Sequence, residues 1–456
     1  MKQLQGKRAL VIGLGESGLG AALLLKSLGA QVRVTDRSSN EFILKHAARL
    51  SSIGVEVELG KHSVEFCVQV DFAILSPGIP PELPLLEWLR EKNVPMDGEL
   101  EWASQFASGK IIAITGSNGK STTSTLLWEI LKQSGVRTAL AGNIGRSLSR
   151  AILEESEIDF WVLEVSSFQL EHSNKFRPWL TMILNLTPNH LDRYATFEDY
   201  REAKLKILQN QNAQNRSLIN RSISEYIHSS VSIAWVNSYR REEVGIFVEN
   251  DWIQFRLREL EGKIIPLSDL KAKGLHFIEN VMFASLAALL CGVSISTIYH
   301  AVKNFKGLEH RQEIFDCSEG RKWVNDSKST SVDAVRSSLD AFDLPIIWIA
   351  GGHYKGGDFT FLKPWILKKV KESHFYGEAA PLLAKYLKGT SPLFLHGPLR
   401  DAIEAVRLRA KEGDTIIFSP GCSSFDQFKN FEERGRFFKE EVRRVVHGPQ
   451  SIVHGL

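Results

Sequence analysis

The chain has 456 residues, 43% of them hydrophobic and 24% charged, enough apolar side chain for large cores, which excludes a disordered, collagenous or miniprotein class. Its 56 Lys+Arg against 53 Asp+Glu leave a formal charge of +3, which argues against a polybasic nucleic-acid surface and makes any anion binding local. At roughly 150 residues per domain the length predicts about three domains.

The first predicted elements are a strand at Arg8–Ile12, a helix over Leu19–Leu28 and a strand at Gln31–Thr35, the βαβ rhythm of a parallel sheet. Between the first strand and the helix lies Gly13-Leu14-Gly15-Glu16-Ser17-Gly18, and Asp36 closes the next strand. Glycines there let the backbone approach a pyrophosphate whose charge meets the helix N-terminus, and Asp36 is placed for a ribose or sugar hydroxyl. The reflex reading is NAD, but the physics asks only for a diphosphate-bearing ligand; an empty tight turn is the bland alternative. A second turn, Ser76-Pro77-Gly78, ends the strand DFAIL and would face the same sheet edge.

The strand, turn and helix pattern restarts at Lys110 with KIIAITGSNGKSTTSTLLWEIL. Backbone N–H groups of Gly116, Ser117, Asn118 and Gly119 can wrap a phosphate, Lys120 can neutralise it, and the hydroxyl of Ser121 or Thr122 can ligate Mg²⁺. Ile114 stands where a P-loop has its first glycine, so the loop is a variant. Two further apolar strands, FWVLE and LTMILNL, lead to Glu164 and to His190, and parallel strands would bring both side chains to the carboxyl edge beside the loop. Taken singly, Glu164 neighbours a helix N-cap, His190 sits in a turn and Lys204, in YREAKLKIL, lies on a solvated helix face; the upstream phosphate loop gives the group a chemical reason.

A third restart near Pro345, PIIWIAGGHYKGGDF, completes three α/β domains, each a mostly parallel sheet flanked by helices: Rossmann-like over 1–107, P-loop over 108–306 and Rossmann-like over 307–456. The four cysteines are dispersed and form no paired-ligand spacing, which predicts neither a disulfide framework nor structural zinc. The longest apolar segment, Val281 to Val293, falls short of the roughly 20 residues of a spanning helix, and the N-terminus lacks a secretory pattern, so a cytoplasmic protein without membrane or nucleic-acid partners is expected.

Eight motifs in order, GSNGKST, AGNIG, LEVSSFQLE, NHLDRY with Ala203-Lys204, LEHRQE, NDSKST, GGHYKGGDF and SPGCSSFDQFKNFEERG, make the chain resemble the Mur ligases, the ATP-dependent amide ligases of peptidoglycan precursor synthesis. The resemblance spans all three domains. It implies that Glu16, Ser17, Asp36, Arg37 and Gly78 hold a UDP-sugar substrate, with Asn143 at its acyl-bearing end. It implies ATP on Gly116 to Thr122, Asn280, Arg311, Asp326 and Lys328. Two Mg²⁺ ions would be held among Ser121, Glu164, His190 and Lys204, the last as a carbamate, so the catalytic set is Lys120, Glu164, His190, Lys204 and Arg311. Where the family often has His-Asn, this chain has His276-Phe277, which removes or replaces one adenine contact. Thr330, Lys355, Ser424 and Phe431 match the family members that add D-glutamate, so the expected substrates are UDP-N-acetylmuramoyl-L-alanine, D-glutamate and ATP, taken by a monomer. A Mur ligase with another amino acid and an NAD-binding oxidoreductase are the alternatives.

Overall fold

The computed structural model describes residues 4–188, 193–227, 232–237, 243–258, 260–271, 274–342 and 344–448. The chain forms two compact units, Met1–Phe305 and Lys306–Leu456. The described residues form three sheets, two in the first unit and one in the second.

The first sheet holds β1 (Arg8–Ile12), β2 (Gln31–Asp36), β3 (Glu56–Leu59), β4 (Phe72–Leu75) and β5 (Met96–Gly98) in the order β3-β2-β1-β4-β5, all parallel. Ala9 to Ile12 are buried on both faces, which is why β1 reads as an unbroken apolar run. The strand order reverses about β1, so the turns after β1 and β4 open at the same carboxyl edge.

The second sheet adds β6 (Lys110–Thr115), β7 (Thr138–Gly142), β8 (Phe160–Glu164), β9 (Leu180–Ile183), β10 (Arg216–Asn220), β11 (Ser232–Val236), β12 (Gly245–Glu249), β13 (Trp252–Leu257) and β14 (Leu260–Pro266). Its order is β14-β13-β12-β11-β10-β9-β6-β8-β7, parallel from β7 to β12 and antiparallel across β12-β13-β14. The antiparallel extension departs from the uniform βαβ rhythm of the sequence reading. Its first turn is Asn250-Asp251, both at positive φ (50° and 60°), the two-residue conformation whose twist matches a hairpin.

The two sheets of the first unit are fastened by buried carboxylates following β5. Glu99 accepts the Ser149 N–H at 2.8 Å, and one oxygen of Glu101 accepts the N–H groups of Asn174, Lys175 (2.7 Å) and Phe176 (3.3 Å). Helix Glu16–Ser27 also packs against helix Leu148–Glu154, burying Leu19, Leu148 and Ala151 in one shared core.

In the second unit, β15 (Glu313–Asp316), β16 (Lys322–Asn325), β17 (Ile346–Gly351), β18 (Val370–Tyr376), β19 (Leu393–His396) and β20 (Thr415–Gly421) run in the order β15-β16-β20-β17-β18-β19. Only β15 is antiparallel. β20 separates β16 from β17, so their following loops open on either side of it at one edge.

Candidate active site

In the first sheet, Gly18 lies so close to the turn that a Cβ would fall 1.8 Å from the Gly13 carbonyl oxygen, so helix Glu16–Ser27 can meet β1 tightly only with glycine there. Asp36 holds the turn by accepting the N–H groups of Leu14 (2.6 Å) and Ser38 (2.7 Å), which leaves one lone-pair direction on each oxygen for a ligand hydroxyl. Glu16 lies 3.5 Å from both His46 and Arg150, and Arg37 is exposed. The Ser76 hydroxyl donates to the Gly13 carbonyl at 2.9 Å, tying Ser76-Pro77-Gly78 to the glycine turn.

The phosphate loop follows β6 and caps helix Lys120–Gln133. Gly119 has φ +84°, and a Cβ there would meet Asn280 Oδ1 at 2.3 Å; Asn280 also accepts the Thr123 hydroxyl at 3.1 Å. The sequence reading assigned the phosphate cradle to successive N–H groups from Gly116 onward. Two of those N–H groups are already engaged in the structure: Ser117 N–H donates to the Asn185 carbonyl (3.0 Å) and Asn118 N–H to its side chain (2.8 Å), which ties the loop to the residues after β9. The Lys120 ammonium folds back over the loop onto the carbonyls of Gly116 (2.8 Å) and Ser117 (3.0 Å). Ser121 is buried, Thr122 partly exposed, and Phe277 stacks on Phe305 with rings 6.3 Å apart.

Glu164, at the end of β8, is 3% exposed. Its Oε1 accepts the Asn143 amide at 2.8 Å, while its buried Oε2 has no hydrogen-bond partner among the described residues. Lys204 is not on a solvated face: it is 2% exposed, with its Nζ 4.8 Å over the Tyr200 ring. Burial, reinforced by the like charge of Lys120 and opposed by Glu164, pulls its amine well below the usual lysine range. A buried lysine held down in this way, acting with a carboxylate oxygen that has no partner among the described residues, is chemically unlike a surface lysine. His190 lies outside the described residues.

Three residues beside this site escaped the sequence reading. Tyr200 donates to Ser117 Oγ at 3.1 Å, and Arg193 grips Glu171, with Nη2 to Oε2 at 2.5 Å. All three stand in or beside motifs already singled out, but nothing in their spacing gives these pairings.

In the second unit the loops after β16, β17 and β20 are stitched together. Asp326 N–H donates to Phe418, Lys328 N–H to His310, Gly421 N–H to Ser329, and His353 and Ser423 exchange both backbone bonds. Arg311, Asp326, Lys328, Thr330, Lys355, Ser424 and Phe431 therefore converge on one carboxyl edge. Asp326 is 4% exposed and accepts the hydroxyls of Ser329 (2.5 Å) and Ser419 (3.1 Å), and burial raises its carboxyl to about 6. Lys328 lies over Phe431 (4.2 Å) and Lys355 over the exposed Phe425 (4.9 Å). Arg434, fully buried, donates to Ser327 and to the Cys422 carbonyl and so sets the spacing of two of these loops. Nearby Glu309, His310 and Glu313 have the spacing of metal ligands, but Lys439 already sits 2.6 Å and 2.8 Å from the two carboxylates.

Residues 7–98 match the Mur ligase MurD-like N-terminal domain and residues 114–288 the Mur ligase middle domain. A UDP-N-acetylmuramoylalanine–D-glutamate ligase of Acidobacterium capsulatum is 41% identical over 447 residues, 96% of this chain and 97% of that one. One from Koribacter versatilis is 39% identical over 451 residues, 97% and 98% of the two chains. Among solved structures, MurF ligase from Thermotoga maritima in complex with ADP superposes with a TM-score of 0.62 at 14% identity, over 98% of this chain and 99% of that one, a likeness of fold alone. The chain belongs to the Mur ligase family. Within the family, its full-length resemblance is to the UDP-N-acetylmuramoylalanine–D-glutamate ligases.

Proposed function

We propose that this protein is an ATP-dependent amide ligase that joins D-glutamate to UDP-N-acetylmuramoyl-L-alanine through an acyl phosphate, working as a cytoplasmic monomer in peptidoglycan precursor synthesis. The observation that carries the reading is the pairing, beside one phosphate loop, of Glu164, a buried carboxylate with an oxygen unpartnered among the described residues, and Lys204, a buried lysine whose amine is pulled well below its usual range. An NAD-dependent oxidoreductase has no use for either group. No helix of the described residues is long and apolar enough to cross a membrane.

The donor set suits magnesium, which takes oxygen ligands: the Ser121 hydroxyl, Glu164 Oε2 and a carbamate on Lys204 would share two ions with His190. Mg²⁺ bound there would offset the negative charge that builds on the transferring phosphoryl group. For the carbamate, the neutral Lys204 amine attacks CO₂, an N–C bond forms, one C=O electron pair moves onto oxygen, and the nitrogen loses its proton. A neutral amine thereby becomes an anionic carbamate where a second anionic ligand is needed, and the positive charge of Lys120, which adds to burial in lowering the amine, favours the product.

A carboxylate cannot acylate an amine directly because its leaving group would be oxide. The L-alanyl carboxylate therefore attacks the γ-phosphorus of ATP, the bond to the β-bridging oxygen breaks, and ADP leaves. Lys120 and the first turn of helix Lys120–Gln133 hold the phosphates, and Arg311 supplies charge to the phosphoryl group in flight. The free amine of D-glutamate then adds to the acyl carbon, and the tetrahedral adduct expels phosphate and gives up a proton to leave the amide. We assign the UDP-sugar to Glu16, Ser17, Asp36, Arg37, Gly78 and Asn143, the nucleotide also to Asn280, Asp326 and Lys328, and D-glutamate to Thr330, Lys355, Ser424 and Phe431. The corresponding domains are 1–107, 108–306 and 307–456.

Phosphate release measured with UDP-N-acetylmuramoyl-L-alanine, ATP and Mg²⁺, one amino acid at a time, tests the reading. D-glutamate should be the amino acid that stimulates release, and Lys355→Ala should raise its KM well above any change in the ATP KM. Stimulation by L-alanine or L-lysine in place of D-glutamate would overturn the assignment.

A further inference from the structure

The turn assigned to the UDP-substrate and the loop assigned to ATP lie on different sheets of the first unit, yet a continuous set of contacts joins them. At one end, the Ile79 carbonyl, which follows Ser76-Pro77-Gly78, meets both His172 Nε2 and Arg193 Nη2 at 3.2 Å. A carbonyl oxygen has two lone pairs, and both are used. In the middle, the Arg193 guanidinium lies 4.4 Å over the Phe168 ring and forks onto Glu171, Nε to Oε1 at 3.3 Å and Nη2 to Oε2 at 2.5 Å. The Tyr194 hydroxyl donates to Glu171 Oε1 as well, and the Tyr194 ring meets the Tyr200 ring edge-on at 5.4 Å.

The other end is equally saturated. Ser117 Oγ, in the phosphate loop, accepts from Tyr200 (3.1 Å) and from the Thr187 N–H (2.9 Å) while donating to the Thr187 carbonyl (2.8 Å). The same Tyr200 ring underlies Lys204. Neither terminus has a spare hydrogen-bonding position with which to absorb a displacement locally. The side chains of Arg193 and Glu171 are only 19% and 13% exposed, so their ion pair is weakly screened and opening it would leave two partly buried charges.

We propose that Arg193, Glu171 and Tyr194 are positioning residues that couple the UDP-substrate turn to the phosphate loop, so that filling one site orders the other. This rests on the substrate assignments made above. A ligand drawing the Ser76–Ile79 turn onto its diphosphate fixes the Ile79 carbonyl, hence Arg193, Glu171 and the tyrosine pair, and finally Ser117 together with the floor beneath Lys204. Coupling is reciprocal, so a nucleotide in the loop favours the ligand-ready turn by the same factor.

The test is a binding cycle by titration calorimetry with a non-hydrolysable ATP analogue and UDP-N-acetylmuramoyl-L-alanine, each titrated alone and in the presence of the other. In the wild type each ligand should tighten the other about tenfold. In Arg193→Ala and in the gentler Tyr194→Phe, each ligand alone should bind within about twofold of wild type, while the mutual tightening falls toward one. Retained coupling in both variants, or no coupling in the wild type, overturns the proposal while leaving the substrate assignments intact. Failure of the UDP-substrate to bind the wild type overturns the assignments and the coupling with them. Loss of both separate affinities together with a lowered melting temperature would mark the residues as merely structural, and also overturns it.

Discussion

Replacing Lys204 tests the chemistry at its most unusual point. An ordinary lysine, with a pKa near 10.4, presents roughly one free amine in 800 at pH 7.5, far too few for a stable carbamate at ambient CO₂. Each pH unit by which burial pulls the group down multiplies the free amine tenfold, and Lys204, 2% exposed with Lys120 nearby, is pulled well down. If its carbamate is a charge-bearing ligand of the phosphoryl-transfer site, Lys204→Ala should lower kcat by about 10²- to 10³-fold, equivalent to roughly 3–4 kcal/mol of transition-state stabilisation. Lys204→Glu should not rescue it, because a glutamate carboxyl stands three bonds closer to the backbone than a lysine carbamate. Added formate or acetate should restore part of the alanine variant's rate by filling the vacated volume with a carboxylate.

Two measurements separate this from generic damage. Wild-type phosphate release should fall in CO₂-stripped buffer and return with bicarbonate, whereas Lys204→Ala should be indifferent to both, and carbon-13 bicarbonate should give a carbamate resonance in the wild type alone. The sign of the pH effect follows from linkage. Without CO₂ the folded state binds fewer protons than the unfolded state from the lowered value up to about 10.4, so stability should rise with pH across that window. Wild-type turnover by Lys204→Ala, or activity insensitive to CO₂, would refute the reasoning.

Asp326, raised from 3.8 to about 6, binds a proton in the folded state where the unfolded state does not, so its contribution is lost as pH climbs through about 6. At about 1.4 kcal/mol per pH unit, Asp326→Asn should gain roughly 3 kcal/mol on the wild type between pH 4 and pH 8 in chemical denaturation; a constant difference would show that burial is not the cause. Gly119→Ala, at φ +84° and with its Cβ 2.3 Å from Asn280, should be destabilised by about 1–2 kcal/mol through backbone strain and should raise the ATP KM without changing that of the UDP-substrate. Equal effects on both would mean that the loop does not act locally. Glu101→Ala should lower stability by about 3 kcal/mol, because three N–H groups lose a charged acceptor; a loss under 1 kcal/mol in urea unfolding would show that water replaces it.

What the sequence reveals here depends on how local the cause is. The βαβ order and the phosphate loop are legible because strand, glycine turn and helix are contiguous, and strands buried on both faces leave unbroken apolar runs such as Ala9 to Ile12. The hairpin at Asn250-Asp251 carried a readable turn signal, two residues tolerant of positive φ between β-rich runs, masked by the stronger α/β rhythm around it. Lys204 could not be read in this way. YREAKLKIL has the composition of a solvated helix, and only the packing of Tyr200 under the lysine and of the phosphate loop beside it makes that position internal. The capture of Ser117 and Asn118 by Asn185 is likewise a pairing across 67 or more residues, to which no local pattern corresponds.

Two buried lysines show how the fold separates structure from chemistry. Lys439, 9% exposed, is held between Glu309 and Glu313 at 2.6 and 2.8 Å, an ion pair whose members answer one another's charge. Lys204, 2% exposed, makes no such close pair among the described residues: they offer it an aromatic face, the like charge of Lys120 and the carboxylate of Glu164 acting from a distance. Burial with no close counterion favours giving up the proton, and a lysine in its free-amine form is a nucleophile toward CO₂. It follows that a carboxylate introduced within contact of Lys204 would stabilise the ammonium and so abolish the reactive amine, even though every residue of the site was still present.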